Sequence, residues 1–358
     1  MRHFNLAVIP ADGIGPEVVG ASRRVLEFLA QSDGGVRFDF HELDWGSNRF
    51  LQTGRLMPDD GIRKLETGGF DAILLGPVGD QRIPDHVTLW GLVLPIRQAF
   101  DQYINLRPMR LLEGVDSPLR DRTPPDLDMV CMRENTEGEY SGAGGRIHQG
   151  KDEEVAIQSI VFTRSITERL MRFTFEWAIK HRRRLVTSVT KSNSMQYNMV
   201  FWDDVFREVS TGYPDVKTDK QLVDSMTARM IDQPESVDVF VTTNLFGDIL
   251  TDLGAALTGS MGLAPSANLN PEKKYPSLFQ AIHGSAFDIA GKHLANPIAS
   301  IWSAQLMLDF LGEPELSSRL MRAIESVVRD GKVRTRDLGG NNSTDEVAEA
   351  ICLASACG

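Results

Sequence analysis

Residues 6–20 read LAVIPADGIGPEVVG, a stretch that predicts a buried strand, a glycine-containing turn and the start of a helix. The apolar run 6–9 is closed by Pro10, and apolar residues recur at helical spacing from Val18 onward. Pro16 suits the first turn of that helix. A dinucleotide-binding Rossmann turn would place a third glycine at position 18, where this chain has valine. The stretch therefore predicts half of a βαβ unit without the Rossmann fingerprint.

Apolar runs and helical patterns continue to alternate along the rest of the chain. The predicted strands cover 70–75, 129–132, 185–189 and 237–242, and the predicted helices cover 165–179 and 195–209. This alternation is typical of an α/β protein with a largely parallel sheet.

Composition is that of an ordinary globular protein. The chain has 358 residues, of which 42% are hydrophobic and 24% charged, and this length corresponds to roughly two domains. Its 38 Lys and Arg against 49 Asp and Glu give a net charge of −11, which disfavours binding to a phosphate backbone. The three cysteines, Cys131, Cys352 and Cys357, form no CxxC motif, and no apolar run is long enough for a membrane span. We therefore expect a cytoplasmic protein that binds neither nucleic acid nor membrane.

Two aspartates stand four residues apart in the segment 244–253, which follows a predicted strand and opens a helix. On a helix, Asp248 and Asp252 would share one face. Their hard oxygen atoms suit Mg²⁺ or Mn²⁺ better than zinc, and Asp224 is a candidate third ligand. The spacing alone is explained equally well by acidic side chains at a helix N-terminus, where the helix dipole favours them.

Three arginines lie near predicted strand ends, namely Arg97, Arg107 and Arg133. Arginine is suited to bidentate recognition of carboxylates. The sequence by itself does not bring the three together, and each taken singly is better explained as a surface ion-pair partner. Lys191 follows a predicted strand and, taken alone, is best explained as a solvated side chain.

Taken together, these segments resemble the metal-dependent β-decarboxylating dehydrogenases, a family that includes the isopropylmalate, isocitrate and tartrate/D-malate dehydrogenases. The resemblance covers nearly the whole chain and is closest to the tartrate/D-malate branch. Its motifs lie, in order, at 9–18, 105–108, 133–142, 191–193, 244–253, 283–291 and 295–297.

The resemblance implies the two-domain α/β fold of isocitrate and isopropylmalate dehydrogenases, which is not a Rossmann fold. The large domain would comprise 1–102 and 260–358, with both termini and the loop for the adenosine of NAD. The small domain would comprise 103–259, with the dimer contacts and the metal and catalytic residues. The family's homodimers share their active sites, so that Lys191 and Asp224 would complete the site of the neighbouring chain.

The resemblance also implies a role for each candidate residue. The implied substrate-binding residues are Arg97, Arg107, Arg133 and Trp90. The implied ligands of Mn²⁺ or Mg²⁺ are Asp224, Asp248 and Asp252, and a monovalent cation such as K⁺ is a further candidate cofactor. Tyr140 would act as general acid and Lys191 as base. The implied cofactor-binding residues are Ile14, Asn193, His283, Gly284, Ser285, Ala286, Asp288 and Asn296. Asp288 stands where NAD-dependent members place an acid on the adenosine ribose, and a carboxylate there would repel the 2′-phosphate of NADP.

Three positions in the chain bear on the substrate that the resemblance implies. Trp90 replaces a glutamate of isopropylmalate enzymes, and Gly91 and Val93 replace a serine and an asparagine of isocitrate enzymes. These changes favour the small dicarboxylates tartrate and D-malate, the latter converted to pyruvate and CO₂. The alternatives are 3-isopropylmalate dehydrogenase, a non-catalytic regulatory subunit and a metal-dependent lyase without a redox step.

Overall fold

The structure, a computed structural model, describes residues 1–356, so that Cys357 lies outside the described part of the chain. The strands are β1 Arg2–Ile9, β2 Val36–Glu42, β3 Ala72–Leu75, β4 Ile104–Arg110, β5 Asp128–Glu134, β6 Gly144–Ile147, β7 Val155–Gln158, β8 Leu185–Thr190, β9 Lys217–Leu222, β10 Val239–Thr242, β11 Pro265–Leu269 and β12 Ser277–Ala281. The helices are α1 Gly15–Asp33, α2 Ser47–Thr53, α3 Gly61–Thr67, α4 Asp85–Thr88, α5 Leu94–Ala99, α6 Arg164–Lys180, α7 Asn198–Ser210, α8 Val223–Asp232, α9 Asn244–Leu257, α10 Ile298–Leu311, α11 Pro314–Asp330 and α12 Thr344–Ala356. A π-helical turn, Leu89–Val93, joins α4 to α5.

The chain forms two compact units. The first contains Met1–Gln102, Arg110–Pro124 and the chain from Ala255 onward. Its strands run in the order β2-β1-β3-β12-β11, in which β11 is antiparallel to β12 and the other pairs are parallel. The predicted N-terminal strand and helix are confirmed as β1 and α1.

A tight turn between β1 and α1 fixes the N-terminal end of α1. Gly13 has a φ of 57°, and a Cβ at this position would lie 1.9 Å from the carbonyl oxygen of Ser285. The next residue, Ile14, donates its backbone N–H to that same oxygen at 2.9 Å. Only glycine accepts both this backbone conformation and this close approach. The turn and the loop that contains Ser285 are therefore held in direct contact.

The second unit contains Tyr103–Met109 and Pro125–Gly254, with its main strands in the order β4-β5-β10-β8-β9. The strands β5, β10, β8 and β9 are parallel, so their carboxyl ends lie along one edge. Arg133 lies near the end of β5, Lys191 directly follows β8, and α8 and α9 begin just after β9 and β10. This edge of a parallel sheet is where ligands of open α/β sheets bind.

An exposed antiparallel hairpin, β6 and β7, also belongs to the second unit. It carries apolar side chains that remain exposed, among them Ile147 and Ile157. Within residues 1–356 none of the helices is both long and apolar enough to cross a membrane.

Candidate active site

One face of α9 gathers most of the candidate substrate and metal residues of the second unit. Asn244, Asp248 and Thr251 follow one another at helical spacing, so their side chains project from neighbouring positions. Each of them contacts an arginine that comes from another element. The helix therefore organises residues from three separate parts of the sequence.

Arg133, from β5, is the most enclosed of these arginines, with only 3% of its side chain exposed. Its guanidinium forms an ion pair with Asp248. Its Nε and Nη2 atoms both donate to Asn244 Oδ1, at 3.0 and 2.7 Å. A Cβ on Gly247 would lie 2.6 Å from Arg133 Cγ, so glycine is required where the arginine passes the helix.

Arg107, from β4, lies on the same face of α9. Its Nη1 donates to Thr251 Oγ1 at 2.6 Å and lies 3.5 Å from Asp248 Oδ1. Asn105 accepts a further hydrogen bond, from Arg107 Nε at 3.1 Å. Burial and the nearby charge of Arg133 lower the pKa of Arg107 to about 10. Two cations this close favour an anionic ligand such as a carboxylate.

Asp248 and Asp252 provide the oxygen atoms for a metal. Partial burial and the charge of Asp248 both raise the pKa of Asp252. Asp248 keeps 44% of its side chain exposed beside its ion pair with Arg133. A divalent cation would relieve the repulsion between the two carboxylates, and hard oxygen donors suit Mg²⁺ or Mn²⁺. The donor set therefore fits the implied metal.

Lys191 and Asp224 form a second group in this unit. Lys191 Nζ donates to Asp224 Oδ1 at 2.6 Å, across the ends of the paired strands β8 and β9. This hydrogen bond lowers the pKa of Asp224, whose side chain is 61% exposed. In the part of the chain that the structure describes, no three His, Cys, Asp or Glu side chains converge as metal ligands.

Tyr140 lies beside the arginine cluster. The Cζ atom of Arg133 is 5.7 Å from the centre of its ring, a distance at which a cation is attracted to an aromatic face. Asn193, the one cofactor candidate of the second unit, is exposed in the loop after β8.

The remaining cofactor candidates lie in the first unit, around a cavity of about 550 Å³. The candidates that line it are Ile14, His283, Gly284, Ala286 and Asn296, and Ser285 and Asp288 belong to the same loop, 283–291. Within the described residues, His283 Nε2 and Ser285 Oγ are buried without a hydrogen-bond partner. Burial also lowers the pKa of His283, which favours a neutral imidazole. An apolar cavity with a few unsatisfied polar atoms suits the adenosine part of a dinucleotide.

Asn296 is held in place within this cavity wall. Its Oδ1 accepts from the backbone N–H of Ile298 at 3.0 Å, and its Nδ2 donates to Asp337 Oδ2 at 2.9 Å. Asp337 also accepts a hydrogen bond from Ser260 Oγ at 2.5 Å. Sequence reasoning did not find Asp337, because it stands far along the chain from the motifs.

Arg97 and Trp90 belong to the first unit as well. Arg97 lies in α5 and is buried, with 4% exposure. Trp90 lies in the π-helical turn, and its indole is 38% exposed. Its exposed ring is therefore available for contact with a ligand.

The comparisons with known proteins show the family of the chain. Residues 5–351 match the family model described as isocitrate/isopropylmalate dehydrogenase. The chain belongs to this family. It is 52% identical over 356 residues to a probable tartrate dehydrogenase/decarboxylase of Agrobacterium vitis, covering 99% of both chains. It is 47% identical to the D-malate dehydrogenase (decarboxylating) of Escherichia coli, covering 98% of each. The crystal structure of isocitrate dehydrogenase from Methylococcus capsulatus superposes with a TM-score of 0.87 at 35% identity, over 99% of this chain and 100% of that one.

Several residues that support this family's site escaped the sequence analysis. Asn244 and Thr251 hold the two arginines, and Gly247 leaves room for one of them. The helical spacing of 244, 248 and 251 was a signal that could have found them, since it marks the face that carries Asp248. Glu134 was also missed, because burial of a charged residue is not visible in a sequence.

Glu134 generates a prediction about pH. Burial raises its pKa to about 7, although its Oε1 accepts backbone hydrogen bonds from Thr136 and Glu137 at 2.7 and 2.8 Å. The folded chain therefore binds this proton more tightly than the unfolded chain does, so the free energy of unfolding falls as pH rises from 4.5 toward 7. In Glu134→Gln the free energy of unfolding should not fall with pH in this way. Across that range it should therefore rise relative to that of wild type by on the order of 2–3 kcal/mol.

Urea unfolding at pH 5 and pH 7.5 measures this difference. The matched control is Glu153→Gln, a change at an exposed glutamate of the hairpin segment, which should leave the pH dependence as in wild type. Parallel pH dependence of wild type and Glu134→Gln would contradict the prediction.

Proposed function

We propose that the protein is an NAD-dependent and metal-dependent enzyme that oxidises and decarboxylates a small 2-hydroxy dicarboxylic acid. The proposed substrates are tartrate and D-malate, the latter giving pyruvate and CO₂. The observation that carries the proposal is the arginine–carboxylate face of α9, present in a chain about half identical to tartrate and D-malate dehydrogenases. That face offers cations for the substrate carboxylates next to oxygen atoms for a metal.

Arg107 and Arg133 bind a substrate carboxylate in this proposal. Both are buried and held by Thr251, Asn244 and Asp248, so their guanidinium groups are already oriented before a ligand arrives. The family resemblance assigns the same task to Arg97 of the first unit. These three arginines are enough to bind both carboxylates of a dicarboxylic acid.

Asp248 and Asp252 hold the divalent ion, together with Asp224 of the partner subunit. When bound, Mn²⁺ or Mg²⁺ supplies a Lewis acid that polarises the substrate oxygen and stabilises negative charge after CO₂ leaves. Partial burial and the charge of Asp248 raise the pKa of Asp252. The repulsion between the two carboxylates supports this assignment, because a cation between them would remove it.

Lys191 of the partner subunit takes the proton from the substrate hydroxyl, and Tyr140 gives a proton to carbon after CO₂ has left. The hydrogen bond between Lys191 and Asp224 supports a joint contribution, because it places the two residues side by side. Tyr140 lies beside Arg133, which places a phenol next to the proposed carboxylate site.

NAD supplies the hydride acceptor. His283 and Asn296 line the cavity of the first unit, and Ser285 and Asp288 lie in the same loop as His283. The buried Nε2 of His283 and Oγ of Ser285 have no hydrogen-bond partner within the described residues, which supports a polar ligand at this loop. Asn193 is the proposed contact on the nicotinamide side.

The region around Trp90 supports a small substrate. A Cβ on Gly91 would lie 2.3 Å from Leu56 Cδ1, so Leu56 occupies the space that a serine side chain would need at this position. Val93 is buried and apolar. Neither position therefore offers the polar contacts that a third carboxylate requires, and the exposed indole of Trp90 reduces the room for a C3 alkyl group.

Turnover of a substrate panel tests the proposed function. With NAD and Mn²⁺, kcat/KM for D-malate or a tartrate isomer should exceed that for 3-isopropylmalate by at least about 10- to 200-fold, the discrimination that a single methylene allows. EDTA and desalting should abolish turnover, and Mn²⁺ or Mg²⁺ should restore it. Equal turnover of isopropylmalate would support the isopropylmalate dehydrogenase alternative, and full activity without metal would refute the metal's role.

The choice of cofactor gives a second test. The carboxylate of Asp288 should repel the 2′-phosphate of NADP, so NAD should be preferred by roughly 100-fold in kcat/KM. Asp288→Asn should reduce this preference by improving turnover with NADP. An equal kcat/KM for the two cofactors in wild type would show that Asp288 does not make the distinction.

A homodimer with shared sites is part of the proposal. Apolar side chains of the second unit remain exposed in a single chain, including Ile147, Ile157, Tyr197 and Ile249. Exposed apolar groups of this size are typical of surfaces that a partner covers. A partner chain would also supply the Asp224 carboxylate that completes three metal ligands.

Complementation between inactive subunits tests this arrangement. Exchange of Lys191→Ala with Tyr140→Phe homodimers should restore roughly a quarter of wild-type activity, because random pairing makes half the dimers mixed and each mixed dimer keeps one intact site. The matched control pairs Lys191→Ala with Asp224→Asn. Both residues serve the same neighbouring site, so this mixture should stay inactive. Recovery in neither mixture, with exchange verified by mass spectrometry, would mean that each site is built from one chain.

A further inference from the structure

The segment 134–140, from the last residue of β5 to Tyr140, contains three glutamates. Glu134 accepts from the backbone N–H of Thr136 and lies 3.5 Å from Asn244 Nδ2 of α9. Glu137 binds the start of α6, accepting from Thr163 N and Oγ1 at 2.8 and 2.7 Å. Glu139 binds the start of α9 instead. The residue next to Tyr140 is thus attached to the helix of the proposed metal ligands.

The carboxylate of Glu139 satisfies polar groups at the N-terminus of α9. Its Oε2 accepts from the backbone N–H of Leu245 at 3.1 Å, one of the amides that a helix leaves without an internal partner. Its Oε1 accepts from Thr243 Oγ1 at 3.0 Å. The first turn of α9 has no acidic residue of its own, so Glu139 supplies the negative charge that a helix N-terminus favours.

The segment 133–139 therefore contacts the start of α9 at several positions. Arg133, near the end of β5, is bound to Asn244 and Asp248, and the carbonyl oxygen of Glu137 lies 3.4 Å from Asn244 Nδ2. Glu139, six residues after Arg133, binds the backbone of Leu245 through its side chain. Tyr140 directly follows Glu139, and its ring faces the guanidinium of Arg133.

We propose that Glu139 is the positioning residue for Tyr140, fixing the phenol against α9 by binding the N-terminus of that helix. This inference rests on the proposed function, in which Tyr140 protonates the substrate carbon. In that step the π electrons of the enolate form the new C–H bond at C3 and the carbonyl forms again. The phenolate then recovers a proton from water. Glu139 itself does not touch the substrate.

Steady-state kinetics of the full-length enzyme with NAD and Mn²⁺ test the proposal. The substrate is D-malate or the tartrate isomer that wild type turns over faster. Glu139→Gln should lower kcat about tenfold and Glu139→Ala further, because a displaced general acid loses part of its contribution of about 10²–10⁴. KM should change less than about twofold, since the arginines keep their partners. The matched control is Glu137→Gln, in the same loop but attached to α6, for which kcat should stay within about twofold of wild type.

The stereochemistry of protonation separates positioning from a general loss of structure. D-Malate stereospecifically tritiated at C3 and converted in ²H₂O should give wild-type pyruvate with a chiral methyl group. The product from Glu139→Gln should be largely racemic, since water competes with the displaced phenol. Wild-type kcat in both Glu139 variants would overturn the positioning role, as would a lower kcat with full stereospecificity. If wild type turned over neither D-malate nor tartrate, the proposed function itself would be wrong.

Discussion

The ion pair between Arg133 and Asp248 is the contact on which the second unit's site depends. A guanidinium with 3% exposure is costly to bury unless its charge and all its donors find partners. Asp248 provides the charge, and Asn244 accepts two of the remaining donors. Asp248 and Asn244 both lie in the first turns of α9. Their contacts with one buried arginine therefore fix the orientation of the helix.

That orientation explains the other contacts on the helix. With Asp248 directed at Arg133, the position three residues later meets Arg107, and a threonine there supplies the hydrogen bond. The position four residues later carries Asp252, whose pKa is raised by partial burial and by the charge of Asp248 beside it. Glycine at 247 lets the aliphatic part of Arg133 approach the helix backbone. In the first unit, Gly13 plays a similar part by letting its turn contact the carbonyl of Ser285.

The sequence was sufficient for the fold class because strand, turn and helix at 6–20 follow local rules, and because family motifs recur in order along the chain. The spacing of Asp248 and Asp252 was likewise enough to predict that they share a helix face. Glu139 and Asp337 were not predictable in this way, since their roles depend on which element packs against them. The antiparallel direction of β11 was also missed, because the pattern of apolar residues does not encode strand direction.

The binding of Mn²⁺ to α9 tests the central claim, that this helix face forms the metal half of the site. Titration of the purified enzyme, followed by the electron paramagnetic resonance of free Mn²⁺, compares wild type with Asp252→Asn. The control is Asp204→Asn, which removes a half-buried acid of α7 that pairs with Arg207. We expect the control to bind Mn²⁺ as wild type does and Asp252→Asn to bind it at least about tenfold more weakly. Even residues that only hydrogen-bond to a metal ligand contribute about tenfold to metal affinity. Equal Mn²⁺ affinity in wild type and Asp252→Asn would contradict the account.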